Sequence, residues 1–345
     1  MKIIIASTIV PFINGGGTFI VDWLEQKLKE YGHEAQAIRI PYSSNYNWLL
    51  TQDLGLRMYH LEDACDRLIT IRMPAYLIKH PNKYLWFIHH YREFYDLWDT
   101  EYNAMPDNVR TYSIREYVKR SDELAFKEAK KIYTNSKVVS DRLDRYNHVD
   151  SEVVYPPLLC DEQFFCEEYG EYIYYSSRIC GHKRQLLAIE AMKYTKTPVK
   201  LVITGKTEND LIAKEIRKII SENDLYKKVI VEDRWIEENE KVTYLSKCLA
   251  AIYIPYDEDS YGYPSLEAHH SEKAVISCSD SGGTSELIVN GYNGYITEPD
   301  PMQLAEIFDH LYENRKLAEQ MGRNGKERLN ELNISWDYVI RRFTE

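Results

Sequence analysis

The chain has 345 residues, 44% of them hydrophobic and 28% charged, which is a globular composition with room for two domains that each bury a core. The formal net charge is −11, and most of the acidity falls in the second half, which argues against a nucleic-acid partner because such binders present basic patches. No apolar run approaches the roughly 20 residues of a membrane span, and MKIIIAST is too short an apolar opening, with no small-residue cleavage site after it, to read as a signal peptide.

In chain order, KIIIAS (2–7) has the continuous apolar character of a strand buried on both faces. The loop PFINGGGT (11–18) follows, then an amphipathic helix, FIVDWLEQKLKEYG, ending at Gly32. HEAQAIRI, LITIR (68–72) and YLWFIHH (84–90) are the next strands, with a short helical stretch near Pro74. A long helix over roughly 115–130 leads to the strand KIYTNS and the helix VVSDRLDRY. SEVVYPPL (151–158) is a short strand stopped by Pro156 and Pro157; a double proline forbids helix and stiffens the connection, so the domain boundary is placed there.

The second half repeats the alternation. YIYYSSR (172–178), VKLVITG, KKVIVED, LAAIYIPY, AVISCSD and YITEP read as strands, separated by the helices KRQLLAIEAMKY, NDLIAKEIRKIISEN, EKVTYLSKC and SLEAHHSE. The stretch from Pro301 to Leu332 reads as one long helix. Alternation of this kind predicts two doubly wound parallel sheets, with ligands at the C-terminal strand ends and the site in a cleft where the two domains face each other.

Two loops carry candidate chemistry. Gly15, Gly16 and Gly17 lie between the first strand and the first helix, where glycine lets backbone N–H groups approach an anion; a tight turn without a ligand is the alternative. The pattern is not G-x-G-x-x-G and no acid ends the second strand in the usual place, which disfavours a dinucleotide dehydrogenase. SSRICGHKRQ (176–185) sets Arg178 and Lys183 around the end of the first strand of the second half, a fork and a point charge suited to pyrophosphate; two solvated charges are the alternative. Six scattered cysteines (Cys65, Cys160, Cys166, Cys180, Cys248 and Cys278) form no C-x-x-C, and no histidine cluster has zinc spacing, so a cytosolic protein with reduced thiols is expected.

SSRICGHKR, the run from Asp259 to Glu267 and SDSGGTSELIVNGYNGYI together resemble the C-terminal domain of the GT-B glycosyltransferases, specifically the large retaining family four (glycosyl transferases group 1). The first half agrees, with its Gly-Gly loop, Gly32-His33-Glu34 after the first helix, and a strand ending in His; HPNKYLWFIHHYREFYDLWDTEY resembles a bacterial subgroup that has His-Gln where this chain has His89-His90. Three departures stand out: Asp259 replaces the usual Glu, Tyr261 the usual Phe, and Arg184 the usual Gly after the lysine.

The resemblance implies an α/β GT-B fold of two Rossmann-like, doubly wound domains. Residues 1–156 would form the acceptor side, completed by 335–345, and 157–334 the nucleotide-sugar side. It implies a retaining transferase that moves a hexose-type sugar from a UDP- or GDP-linked donor to a glycan, lipid-linked or small-molecule acceptor. Arg178, Lys183 and the Gly16–Gly17 amides would meet the diphosphate, and the turn Tyr261-Gly262-Tyr263 would bring backbone N–H groups against sugar and phosphate. Asp259 would reach the transferred sugar, Glu267 the ribose, His89 the sugar from the first domain, and Trp235 the base, a core tryptophan being the alternative. His269 and His270 are expected to be packing or surface residues. Loss of Arg178 or Lys183 is expected to spare folding. No metal or other cofactor is expected, and no nucleic acid. The expected location is the cytoplasm, with at most peripheral contact at the inner face of a membrane. A nucleotide-sugar epimerase or phosphorylase of the same fold, or a non-catalytic nucleotide-sugar-binding subunit, are the alternatives.

Overall fold

The computed structural model describes residues 1–11, 16–43, 45–100 and 103–345. The chain divides into two compact units, residues 1–156 with 334–345, and residues 157–333. The first unit contains β1 (Lys2–Ile9), α1 (Gly16–Glu30), β2 (Glu34–Pro41), α2 (Leu49–Arg57), β3 (Arg67–Thr70), β4 (Lys83–Phe87), α3 (Val109–Lys127), β5 (Lys131–Thr134), α4 (Lys137–Asn147) and β6 (Glu152–Val153). The second contains β7 (Tyr172–Ser176), α5 (Gln185–Ala191), β8 (Lys200–Thr204), α6 (Asp210–Glu222), β9 (Val229–Glu232), α7 (Glu238–Lys247), β10 (Ala250–Ile252), α8 (Tyr263–His270), β11 (Val275–Cys278), β12 (Gly294–Thr297), α9 (Pro301–Glu313) and α10 (Arg315–Glu331). The last helix, α11 (Trp336–Thr344), packs in the first unit.

Each unit is built on a six-stranded sheet, in the orders β2-β1-β3-β4-β5-β6 and β12-β11-β10-β7-β8-β9, with every pairing parallel. The central strands are buried along their length, as in Arg67–Thr70, Lys83–Phe87 and Val275–Cys278, because helices cover both faces. This is why their sequences run apolar rather than alternating.

Side chains start many of the helices. Asn108, Ser136, Asn209, Asp300 and Ser335 each accept a hydrogen bond from a first-turn amide, and Glu237 with Glu240 forms a reciprocal capping pair on α7. The expected single helix over 301–332 is two: α9 stops at Asn314, whose side-chain amide donates to the His310 carbonyl at 2.9 Å while its backbone leaves helical geometry. Helix α2 has no counterpart in the sequence reading; its weak amphipathic pattern buries only Leu49, Asp53 and Leu56.

Helix α11 lays Trp336, Val339, Ile340 and Phe343 into the core of the first sheet. Phe343 sits 5.1 Å from the Trp86 ring and 4.8 Å from Tyr133. Arg67 donates to the Phe343 and Glu345 carbonyls, and Arg342 pairs with Glu152 on β6. Among the described residues no helix is long and apolar enough to cross a membrane.

Candidate active site

In the second sheet the chain runs outward from β7 to β8 and β9, then returns to β10 and runs the other way to β11 and β12. The switch point therefore lies between the neighbours β7 and β10, where connections leave in opposite directions and open a crevice at the C-terminal strand ends. The loops after β7, β10 and β11 meet there.

Lys183 enters from the β7 loop, at the end of the 3-10 turn Gly181–Lys183. Its ammonium donates to the Tyr253 hydroxyl at 2.6 Å and to Glu258 at 2.5 Å, both from the β10 loop. The side chain is largely buried, so these partners carry its desolvation. Burial, with the Glu258 and Glu267 carboxylates nearby, pushes the Tyr253 hydroxyl well above its ordinary range, so it stays neutral.

The next residue, Arg184, has a left-handed backbone, φ +55°. Glycine would adopt this freely; an arginine needs compensation. It has it: the guanidinium makes a bidentate pair with Asp280 at 2.7 and 2.8 Å and donates to the Ile254 and Pro255 carbonyls. The departure from the family's glycine thus ties the β7, β10 and β11 loops together. Arg178, in contrast, is exposed and lies 3.5 Å from Glu208.

The acidic run is shaped by its glycines. Gly262 has φ +73°, and a Cβ there would lie 2.2 Å from the Tyr253 ring. Gly282 and Gly283 back onto the acidic loop so closely that a Cβ would meet the Glu258 carbonyl at 2.3 Å or Ser260 at 2.8 Å. The Gly283 amide donates to the Glu258 carbonyl at 2.8 Å, and Asp257 donates to the Asp280 carbonyl. The Ser-Gly-Gly of the sequence is therefore the bed on which the loop 257–260 rests. Asp259 is half-buried in this loop, Tyr261 is buried, and Tyr263 opens α8.

Glu267 follows one turn into α8 and is only 6% exposed. Burial raises its carboxyl group against the lowering pull of Lys241, which donates to Oε1 at 2.6 Å. Lys241, on α7, also reaches Glu238 at 2.9 Å. Neither Lys241 nor Glu258 was found from the sequence, since a lysine in a helix and an acid in an acidic loop read as solvated charges. Trp235, between β9 and α7, is 70% exposed, which rules out a place in the core. His269 is fully buried, its Nδ1 against the Lys273 carbonyl, and burial lowers it to about 4; His270 is buried beside Asp161.

The remaining expected residues belong to the first unit. Gly16 begins α1, and the rest of the loop between residues 12 and 15 lies outside the described residues. A Cβ on Gly17 would sit 3.3 Å from Cδ of Arg72, which follows β3, so these two loops meet at the β1/β3 switch point. The Arg72 guanidinium is half-buried, burial pulls it down from its usual range, and it has no ion-pair partner among the described residues. Strand β4 ends at Phe87, so His89 and His90 lie just beyond the strand rather than at its end. His90 is a core group. Nε2 meets Asn147 at 2.8 Å, Phe87, Tyr95 and Tyr146 surround the ring, and burial lowers it to about 4. His89 is the more exposed of the two. A separate apolar cavity of about 400 Å³ opens at the end of β2, lined by Ile40, Pro41, Tyr42, Leu56, Met58 and Tyr59 among others. Among the described residues no group of three His, Cys, Asp or Glu side chains could hold a metal ion.

Residues 162–328 match the family described as "Glycosyl transferases group 1". The chain is 33% identical over 118 residues to alpha-1,3/1,6-mannosyltransferase ALG2 of Mus musculus, covering 34% of this chain and 28% of that protein. It is 24% identical over 217 residues to the Homo sapiens protein of the same name, covering 56% of this chain and 51% of that one. The matched region thus spans about half or less of these curated relatives. Among solved structures, sucrose-phosphate synthase from Thermosynechococcus elongatus superposes with a TM-score of 0.77 at 15% identity, over 98% of this chain and 96% of that one. Anabaena Alr3699/HepE in complex with UDP superposes with a TM-score of 0.74 at 13% identity, over 99% and 98%. These likenesses span both sheets and show the fold; the family match spans the loops that converge at the β7/β10 switch point. The chain has the GT-B fold, and its residues 162–328 are similar to the glycosyl transferases group 1 family.

Proposed function

We propose that this protein is a retaining glycosyltransferase that moves a hexose-type sugar from a nucleoside-diphosphate sugar, UDP- or GDP-linked, to a glycan, lipid-linked or small-molecule acceptor. The observation that carries the proposal is the convergence of Lys183, the Asp259 loop and Glu267 at one switch point, inside the segment that matches the family. The HepE structures bind UDP and UDP-glucose, and the ALG2 relatives are named as mannosyltransferases, which supports the donor class.

In this reading the leaving diphosphate is met by Lys183 and Arg178, whose fixed charge stabilises the negative charge that grows as the glycosidic bond breaks. Gly16 and Gly17 offer backbone amides from the first unit. Glu267 accepts from the ribose. Asp259 stands near the anomeric centre, where positive charge develops, and His89 meets the transferred sugar. Trp235, exposed, serves as a shelf for the base. Protein charges do the work for which other transferases use a metal, so activity is expected to survive EDTA; loss in EDTA with recovery on adding manganese would refute this. The first unit is assigned the acceptor, and the apolar cavity beside Met58 and Tyr59 supports an acceptor with an apolar portion.

A thermal-shift screen of UDP-, GDP- and other nucleotide sugars tests the donor; a donor at 100 times its Kd should stabilise by about 2.7 kcal/mol. Proton NMR of the product, read for anomeric configuration, tests retention. Epimerised free donor, or sugar release that depends on phosphate, would replace the reading with an epimerase or phosphorylase. Binding without donor hydrolysis or transfer would replace it with a non-catalytic subunit.

A further inference from the structure

Glu267 is buried in α8, and its Oε1 takes a 2.6 Å hydrogen bond from Lys241 of α7. No described residue bonds Oε2. Lys241 is itself mostly shielded from solvent; it lies 6.0 Å from the Phe164 ring centre and reaches a second acid, Glu238, at 2.9 Å. Its position is fixed from below: α7 begins with the Glu237–Glu240 capping pair, and its next residues, Val242 and Leu245, are buried. The lysine is thus delivered from a capped, packed helix onto one oxygen of one buried carboxylate.

A buried carboxylate without a cation costs several kcal/mol or takes up a proton. A protonated carboxyl group donates as well as accepts and is free to rotate, so it would lose its selectivity for a hydroxyl donor. With Lys241 in place, Oε1 is occupied, the carboxylate plane is set, and the acceptor lone pairs of Oε2 are what remains for a ligand. We infer that Lys241 is a positioning residue, which holds Glu267 ionised and oriented so that Oε2 accepts a hydroxyl of the donor's ribose. The inference rests on the reading of Glu267 as the ribose ligand given above. It assigns Lys241 an effect on ribose discrimination while Lys241 touches no part of the donor.

The test is binding of UDP, GDP, ADP and CDP, each with its 2′-deoxy and 3′-deoxy forms, by isothermal titration to wild type, Glu267→Gln, Lys241→Met, Lys241→Gln and Lys241→Arg. Thermal unfolding of each variant serves as the folding control, and Lys241→Gln stands in if Lys241→Met does not fold. Wild type is expected to prefer the ribonucleotide of its base over a deoxy form by about 10- to 100-fold, the worth of one hydrogen bond to a charged group. Glu267→Gln and Lys241→Met are expected to lose that preference, and Lys241→Arg to keep most of it. A merely structural lysine would lower the melting temperature or weaken all nucleotides alike without touching the ratio. If Glu267→Gln loses the preference and the neutral Lys241 variants keep it, the positioning role is overturned. If Glu267→Gln keeps it, the ribose reading of Glu267 is overturned instead. If wild type binds none of the nucleotides, the donor reading fails and the inference with it.

Discussion

Replacing Gly262 by alanine tests the packing that connects the acidic loop to Lys183. Gly262 has φ +73° and ψ 130°, a region that residues with a side chain avoid at a cost on the order of 1–3 kcal/mol. The added Cβ would lie 2.2 Å from Cε1 of Tyr253. Carbon atoms rest at about 3.5–4.0 Å, so the ring must retreat by more than about 1 Å. Tyr253 is buried and edge-on to Tyr175, leaving it little room. Its hydroxyl holds Lys183 at 2.6 Å, and that bond, one to a charged group, is worth about 1.5–3 kcal/mol. Together the strain and the lost bond predict a destabilisation of roughly 2.5–6 kcal/mol, which for a unit the size of residues 157–333 is a fall in melting temperature of about 5–24 °C. Differential scanning calorimetry measures the fall, and titration with the donor nucleoside diphosphate measures the accompanying loss of affinity. A variant that melts within a degree of wild type and binds diphosphate equally well would refute the reasoning, because neither the turn nor the Tyr253–Lys183 link could then be as described.

Arg178→Ala and Lys183→Ala should both weaken diphosphate binding and lower kcat, but only the lysine change should also lower the melting temperature, because Arg178 is exposed while Lys183 is buried against Glu258 and Tyr253; equal melting temperatures would contradict this. Glu258→Gln should tighten nucleoside-diphosphate binding by roughly 3- to 10-fold, since its carboxylate competes with the phosphates for Lys183; weaker binding would mean that Glu258 orients the lysine instead. In the first unit, Asp122 is fully buried and accepts from Tyr76 and Tyr95 at 2.9 and 2.7 Å, and Asp53 is buried near Tyr42. Burial raises both carboxyl groups to about 7. Groups raised in the folded state bind more protons there, so the stability they contribute is full below about 4 and lost as pH rises through about 7. Asp122→Asn should therefore flatten the fall in melting temperature between pH 5 and pH 8, and an unchanged profile would argue that the carboxyl is not held protonated.

The alternation of apolar runs with amphipathic segments was enough to foresee two doubly wound sheets, because a parallel strand buried on both faces cannot hide its composition. Boundaries were less legible. The break at Asn314 depends on one side chain closing on the His310 carbonyl, and the end of β4 at Phe87 depends on where its pairing with β5 stops at Thr134. The residues of the acidic run stood out because glycine, proline and paired acids mark a turn in any context. Glu258, Lys241 and Arg72 did not, because isolated charges look alike in a sequence whether they end in water or in a crevice.

What the amino-acid sequence determined by itself was local: which segments are strands or helices, which turns need glycine, and which motif residues resemble those of the group 1 glycosyltransferases. Which charge meets which was decided by tertiary structure. Lys183 and Glu258 are 75 positions apart and Lys241 and Glu267 are 26 apart. The first pair becomes neighbours only because the strand order places β7 beside β10, and the second because the second unit brings Lys241 of α7 against Glu267 of α8. The physical reason is that desolvation belongs to a place in the fold and not to a residue type. Arg178 and Lys183 have the same charge five residues apart, yet one is left in water and the other is sealed against a carboxylate and a tyrosine.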